Sequence, residues 1–316
     1  MPRQVCCLIG KKKESNKLAF ASVAIAIDER DMKKSKRRST SKKHNYTRLL
    51  LSVIVILLIA LLSPALEKTP ASVLEKLDSV QAQPTSASYE IPVSTKERAE
   101  ILLEQYGYTV SYNPDLCIPN WVAWELNEEK LVVRESRSSN FYPNPKLPED
   151  EAVTTKEYSG SGWDRGHMCP AGDNKYHWRA MNESFYMTNI CPQNHNLNRG
   201  DWNELEEACR RWAEVEPVYI VCGPVNYRTP KYGYIGKKFK IRIPDAFFKV
   251  VLTGVQSGNP RAIGFIYKNE ACNNERDKYV NSVDEVERIT SMDFFSALPD
   301  DVENRVEASS NLNDWP

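Results

Sequence analysis

No Cys-x-x-Cys spacing occurs among the six cysteines that follow residue 66, Cys117, Cys169, Cys191, Cys209, Cys222 and Cys272. That absence disfavours a zinc ribbon, whose ligands come in closely spaced pairs. No internal repeat is visible, which excludes a repeat architecture. No acidic cluster surrounds His167 beyond Asp164, so a multi-carboxylate metal cage is not legible there. A broad basic character is also missing. The formal net charge is zero, and residues 49–283 carry a small negative excess, so any phosphate-binding surface must be local. Long hydrophobic runs are lacking too. The stretch Leu49 to Leu62 is uncharged and mostly Leu, Ile and Val, and extends to Leu66 only across Ser63 and Pro64. At about 1.5 Å rise per residue it is short to marginal for a hydrocarbon core of ~30 Å.

The zero net charge hides an asymmetry. Residues 1–48 hold 14 Lys and Arg against 4 Asp and Glu, and residues 284–316 hold 9 acids against 2 bases. A basic flank before an apolar stretch reads as an export signal, with the flank cytoplasmic. Two forms remain open: a signal peptide cleaved after Ala65, and an uncleaved anchor that holds residues 49–66 in a membrane. Met32 opens an ordinary signal-peptide n-region and is an alternative start. The expected location is therefore exported, either membrane-anchored with an extracytoplasmic domain or secreted or periplasmic. Such a compartment permits up to three disulfides among the six cysteines.

The chain then divides into a Ser, Pro, Thr and Gln-rich stalk over 67–93 and a domain over 94–310. Ser94-Thr95-Lys96-Glu97 is a capping box that predicts a helix to about Tyr106. Alternation predicts strands at Tyr108–Tyr112, Trp121–Leu126, Lys130–Glu135, Phe185–Asn189, Pro217–Cys222, Lys238–Ile243, Phe247–Thr253 and Arg261–Tyr267. Helices are predicted over Asn174–Ser184, from Trp202 to Val215, and after Ser282. Trp202, Leu205, Cys209 and Trp212 make the core-facing stripe of the second. The expected class is α+β, with a central, mainly antiparallel sheet flanked by helices.

Asp164-Arg165-Gly166-His167 carries the chemistry. A carboxylate, a guanidinium and an imidazole lie within four positions, residue types that can supply a base for water and positive charge for an anionic substrate. His167 titrates near neutrality when unperturbed. Arg165 presents a planar fork that fits phosphate. Asn189 and Gln193 follow in Met187-Thr188-Asn189-Ile190-Cys191-Pro192-Gln193. Asn198-Arg199-Gly200-Asp201-Trp202-Asn203-Glu204-Leu205-Glu206 begins 31 residues after His167. Bland readings stand beside these: an Asp164–Arg165 ion pair, Asn198 as a helix cap, Glu206 as a solvated charge. His177 reads as packing, and His195 as a polar loop residue near the site. A Cys–His pair of Cys169 or Cys191 with His167 lacks an orienting third member.

Together these strings resemble the DNA/RNA non-specific endonucleases of the ββα-metal type. Ile118-Pro119-Asn120-Trp121, Tyr158-Ser159-Gly160-Ser161-Gly162-Trp163 and Val221-Cys222-Gly223-Pro224 extend the likeness over roughly residues 105–300. The resemblance implies a ββα arrangement in which His167 ends a strand and Asn198 opens the following long helix. It implies His167 as general base, Arg165 as catalytic and phosphate-binding cation, Asn198 as metal ligand, and Glu206 as the residue orienting water around the ion. Asn189 and Gln193 would orient His167 or substrate, and Arg137 would be a second phosphate-binding arginine. Mg²⁺ is the implied ion, with Mn²⁺ an alternative. DNA and RNA are the implied substrates, cut to 5′-phosphate products, and family analogy allows a homodimer. The rival from another class is a catalytically silent nucleic-acid-binding or surface module of the same fold.

Overall fold

The computed structural model describes residues 88–316 apart from Cys272. The chain divides into two units at Pro84/Thr85, and the described residues lie in the second. The basic segment 1–48, the apolar stretch 49–66 and most of the stalk 67–93 lie outside the described residues.

In chain order the elements are β1 (Val93–Ser94), β2 (Ile101–Glu104), β3 (Thr109–Asn113), β4 (Ile118–Leu126), α1 (Glu128–Leu131), β5 (Asp164–His167), α2 (Trp178–Ser184), β6 (Ile190–Gln193), α3 (His195–Arg199), α4 (Asp201–Ala213), β7 (Val218–Val225), β8 (Tyr234–Ile235), β9 (Ile241–Arg242), β10 (Ala246–Thr253), β11 (Arg261–Lys268), β12 (Val280–Asn281), α5 (Val283–Thr290), β13 (Met292–Asp293) and α6 (Asp300–Glu307). Seven strands form one sheet in the order β12-β11-β10-β7-β4-β3-β2. Every pairing in it is antiparallel. The α+β class with a central antiparallel sheet is thus realised.

Period-two alternation divides the sheet between two cores. Val122, Trp124 and Leu126 of β4, Ile220 and Cys222 of β7, and Phe247 and Val251 of β10 point to one face, where Leu205, Ala208, Cys209 and Trp212 of α4 cover them. Trp121, Ala123, Tyr219, Val221, Phe248, Val250 and Leu252 point to the other, under Val283 and Val286 of α5, Val306 of α6, Phe294 and Phe295. The central strands β7 and β10 are buried along their whole length. Their largely apolar sequences, interrupted by Lys249 in β10, follow from this covering of both faces. Residues 88–93 belong to this packing, with Tyr89 edge-on to Tyr219 at 5.1 Å.

Besides the strand expected at Phe185–Asn189, where Met187–Asn189 forms a 3-10 turn, three sequence expectations differ from the structure for identifiable reasons. The Ser94–Glu97 capping box does not open a helix. Ser94 lies in β1, bonded to β13, and Ile101–Glu104 is a strand paired with Val110 to Tyr112 and Thr109. Pairing with β3 outweighs a local capping preference. Lys130–Glu135 is not a strand, because the Asn127 side chain caps α1 instead. The third is the cysteines. Cys117, Cys169, Cys191, Cys209 and Cys222 are free and buried, so the permitted disulfides among them are not formed. They behave as small apolar core residues.

Candidate active site

Strands β5 and β6 form a separate two-stranded antiparallel sheet, with Asp164 opposite Gln193 and His167 opposite Ile190. Gly166 is required at its centre. A Cβ there would lie 2.6 Å from the Gln193 Cβ. With α2 in the connection between the two strands, β6 leads into α3 and then α4, so the paired strands are followed by helix as in a ββα arrangement. Asn198, however, does not open the long helix. It sits in α3, a five-residue helix that ends at Gly200, which precedes α4. A Cβ on Gly200 would come 2.8 Å from the Asn196 carbonyl oxygen, so glycine permits this break.

Asp164 explains the separate helix. Its carboxylate accepts a hydrogen bond from Asn198 Nδ2 at 2.9 Å, lies 3.1 Å from His195 Nδ1 and stands 3.9 Å from Arg199 Nε. It therefore ties β5 to three residues of α3, and the expected alternative of an Asp164–Arg165 ion pair is not the arrangement. Against some desolvation, the Asn198 and His195 hydrogen bonds and the Arg199 charge hold the Asp164 carboxyl below its ordinary value. With Asn198 Nδ2 committed to Asp164, Asn198 Oδ1 is the amide atom left to face outward. A single hard oxygen of this kind fits a divalent ion that retains several waters.

His167 is buried, 7% exposed, against two phenyl rings that also touch each other, with centroids 5.0 Å apart. Phe141 lies 5.3 Å and Phe185 4.8 Å from its centroid, the second edge-on. Each phenyl also carries a guanidinium: Arg165 stands 4.4 Å from the Phe141 centroid and Arg137 5.5 Å from that of Phe185. His167 Nε2 has no hydrogen-bond partner among the described residues. Burial first, then the positive charges of Arg137 and Arg165, push the imidazole down to about 3. The ring is neutral at physiological pH, with a nitrogen unencumbered. Nothing in the sequence pattern flagged Phe141 and Phe185. They lie 26 residues before and 18 after His167, where only tertiary packing joins them.

Asn189 and Gln193 are fully buried and do not reach the His167 ring. Asn189 Nδ2 donates to the Cys169 and Ser184 carbonyls, each at 2.8 Å, and its Oδ1 accepts from Cys169 N at 2.9 Å. All its side-chain polarity is spent on the backbone just past His167, so it clamps the loop. Gln193 packs on Gly166, and its amide atoms have no partner among the described residues. His177 is, as expected, a packing residue, stacked on Tyr106 at 4.2 Å, and its side chain caps α2.

Glu206 lies on the side of α4 nearer the site, where burial pushes its carboxyl up to about 7 against the charges of Lys249, Arg210 and Arg137. Arg137, distant in sequence, thus acts on both His167 and Glu206. Beneath them a charged layer was not legible from sequence. Lys249 is fully buried over the rings of Trp202 and Trp124, at 4.6 and 5.2 Å. Asp173 bonds Arg210 at 2.8 Å and the Trp124 indole at 3.1 Å. Cys169 and Cys191 are buried too, and desolvation drives both thiols well above their ordinary value. Neither can supply a thiolate at neutral pH, which removes the Cys–His reading. Beside Arg165 a polar cavity of about 440 Å³ opens, lined in part by Lys156, Tyr158, Trp163 and Asp164.

A family model for DNA/RNA non-specific endonucleases matches residues 85–301. The chain belongs to the DNA/RNA non-specific endonuclease family. It is 32% identical over 245 residues to the mouse (Mus musculus) mitochondrial nuclease EXOG, covering 68% of this chain and 66% of that protein. It is 35% identical over 220 residues to a nuclease of Nostoc sp., covering 66% and 77%. Against the frog, zebrafish and human EXOG proteins the matches span 65%, 60% and 63% of their length. A crystal structure of an EndoG/EndoGI complex shares the fold, with a TM-score of 0.59, 24% identity, and coverage of 64% of this chain and 88% of that one. Members of this endonuclease family are generally dependent on a divalent metal.

These relatives correct the expected location. Those from mouse, human, fission yeast and budding yeast are mitochondrial nucleases, which counts against an exported, membrane-anchored or secreted protein. Among the described residues no helix is long and apolar enough to cross a membrane. The physical reason for the misreading is that a basic flank before a short apolar run marks a targeting segment without specifying which membrane reads it.

Proposed function

We propose that this chain is a divalent-metal-dependent endonuclease, its nuclease domain over 94–310, that hydrolyses phosphodiesters of both DNA and RNA to 5′-phosphate products. The observation that carries the reading is His167: a neutral, buried imidazole with Nε2 unpaired, flanked by two guanidiniums held on phenyl faces.

Arg165 and Arg137 take the non-bridging oxygens of the scissile phosphate. Their planar forks match that group, and the aromatic faces beneath them fix where the forks point. Pairing with phosphate cancels the positive charges that now oppose protonation of His167. Substrate binding therefore raises the basicity of His167 where a water must lose its proton. His167 Nε2 accepts that proton, and the oxygen attacks phosphorus rather than relying on a ribose 2′-hydroxyl. Attack of that kind serves DNA and RNA alike, and backbone contacts account for low sequence preference. Asn198 Oδ1 would hold the ion, Mg²⁺ or Mn²⁺, whose Lewis acidity neutralises charge on the departing 3′ oxygen. Asp164 positions the Asn198 amide. Glu206, with its carboxyl near 7, acts as an acceptor that orients water beside the ion. Asn189 and Gln193 act as positioning residues beneath His167. A silent module of the same fold would have no use for an unpaired, depressed imidazole between two arginines.

The substrate-level test is the chemistry of the ends. Products of plasmid and RNA cleavage should be labelled by polynucleotide kinase only after phosphatase treatment. Direct labelling of untreated ends would mean 5′-hydroxyls and a different bond broken. Asn198→Ala should cut more slowly by about 10²-fold while remaining folded, since loss of a ligand or its support costs that order. Full activity in that variant would remove Asn198 from the role.

The pH dependence follows from the same geometry. For kcat/KM, which reports the free enzyme, the acid limb should fall below pH 6.5, because His167 is held down to about 3. Arg165→Gln removes one opposing cation and should move that limb to higher pH. An unchanged or lowered limb in Arg165→Gln would contradict the coupling.

A further inference from the structure

Part of the acidic C-terminal stretch gathers at one place, on α5 and α6. Asp284 and Glu287 lie one turn apart on α5, and Glu307 ends α6. One carboxylate oxygen from each lies within 4.8 Å of the other two. Glu307 is the decisive member. It is 5% exposed, yet its Oε1 is buried without a hydrogen-bond partner among the described residues. A buried carboxylate oxygen left unpaired is costly, and the same carboxylate offers one oxygen to a group of like charges. Asp293 and Glu303 add further negative charge from the side. The nearby Arg288 forks onto Glu285 instead, with two bonds of 2.7 Å. Among the described residues no ion pair neutralises Asp284, Glu287, Glu303 or Glu307.

We propose that Asp284, Glu287 and Glu307 form a divalent-cation site, separate from the candidate active site, that takes Ca²⁺. The donors are all hard oxygens, and Ca²⁺ accepts six to eight of them in flexible geometry, the remainder being water. Asp284 is exposed and gives the ion its route in, while Glu307 is buried and closes the inner side. Glu287 is already oriented, since its Oε1 accepts from Phe294 N at 2.7 Å. The protonation pattern agrees with an uncompensated site: burial and then the neighbouring carboxylates push Glu307 up to about 9, and burial pushes Glu287 up to about 7. The bound ion would fasten α6, and with it Val306, to α5 over Phe294 and Phe295. Its role is therefore to hold the C-terminal helices on the sheet.

The test uses the full chain carrying Asn198→Ala, so that the proposed active-site ligand is absent. CaCl₂ is titrated by calorimetry, and thermal unfolding is followed against choline chloride of matched ionic strength. The expected result is saturable binding of one Ca²⁺ per chain and a Tm that rises with CaCl₂. Adding Glu307→Gln should weaken binding at least tenfold while raising the Tm of the cation-free protein at pH 8, because a folded state that holds the Glu307 carboxyl up to about 9 must take up a proton there that the unfolded chain does not, and Gln removes that cost. Asp284→Asn, at an exposed position that folding tolerates, should also weaken binding at least tenfold. Absence of saturable Ca²⁺ binding, or wild-type affinity in both variants, would overturn the site.

Discussion

Replacing His167 with alanine is expected to slow cleavage of plasmid DNA and of RNA together, by about 10²–10⁴-fold, the usual contribution of a positioned general base. The parallel loss is the informative part. If one imidazole activates water for both substrates, the two rates must fall by the same factor. The variant should fold, because His167 makes no side-chain hydrogen bond among the described residues whose loss would strand a partner. It leaves only a cavity beside the Phe141–Phe185 pair, and far-ultraviolet circular dichroism with a melting curve checks this. Cleavage of either substrate within a few-fold of wild type, by a folded variant, would remove His167 from the mechanism. Loss on DNA alone would mean that RNA is cut by another route.

Asn189→Ala is expected to be the most destabilising change near the site. Its side chain satisfies three buried backbone groups: the Cys169 N–H, the Cys169 carbonyl and the Ser184 carbonyl. Truncation strands all three in a region with no exposure. Each stranded group costs about 1–3 kcal/mol, so the total is about 3 kcal/mol or more. For a domain of this size that lowers Tm by roughly 6–12 °C. The resemblance placed Asn189 among residues that orient His167 or substrate. The geometry makes its action indirect, through the backbone at Met168 and Cys169, since Met168 N also donates to the Asn189 carbonyl at 3.0 Å. Activity should therefore follow the folded fraction as temperature rises. An unchanged Tm with activity lost at every temperature would instead put Asn189 in contact with the reaction.

Much of the fold was readable because it rests on local pattern. The apolar runs of β7 and β10, the alternation of β4 and β11, the stripe Trp202-Leu205-Cys209-Trp212 and the Ser282 cap all became the elements that their sequences imply. What was not readable depends on partners far away in the chain. Ile101–Glu104 has a capping box before it but finds a strand edge on β3, and the edge wins. The start of α4 is likewise not set by a side-chain cap of its own. Gly200 is the cap of α4, and the Asp201 carboxylate instead accepts from the Tyr279 hydroxyl. In the site, Asp164, Arg165, His167 and Asn198 were visible as a motif, but their pairing was not. Asp164 looked like a partner for its neighbour Arg165, whereas a strand places adjacent side chains on opposite faces. It reaches α3 instead, while Arg165 turns to Phe141. The two phenyl rings and Lys249 carry no sequence signature, because an aromatic or lysine in a strand or loop is common until packing reveals its neighbours. The cysteine expectation failed with the location on which it rested.

The most direct measurement is a cleavage assay of the purified chain on supercoiled plasmid and, separately, on a structured RNA, with Mg²⁺ and with EDTA. The expected result is internal cleavage of both substrates in Mg²⁺ and of neither in EDTA. Well-folded protein that leaves both substrates intact across a panel of divalent ions, or that cuts equally well in EDTA, would contradict the account.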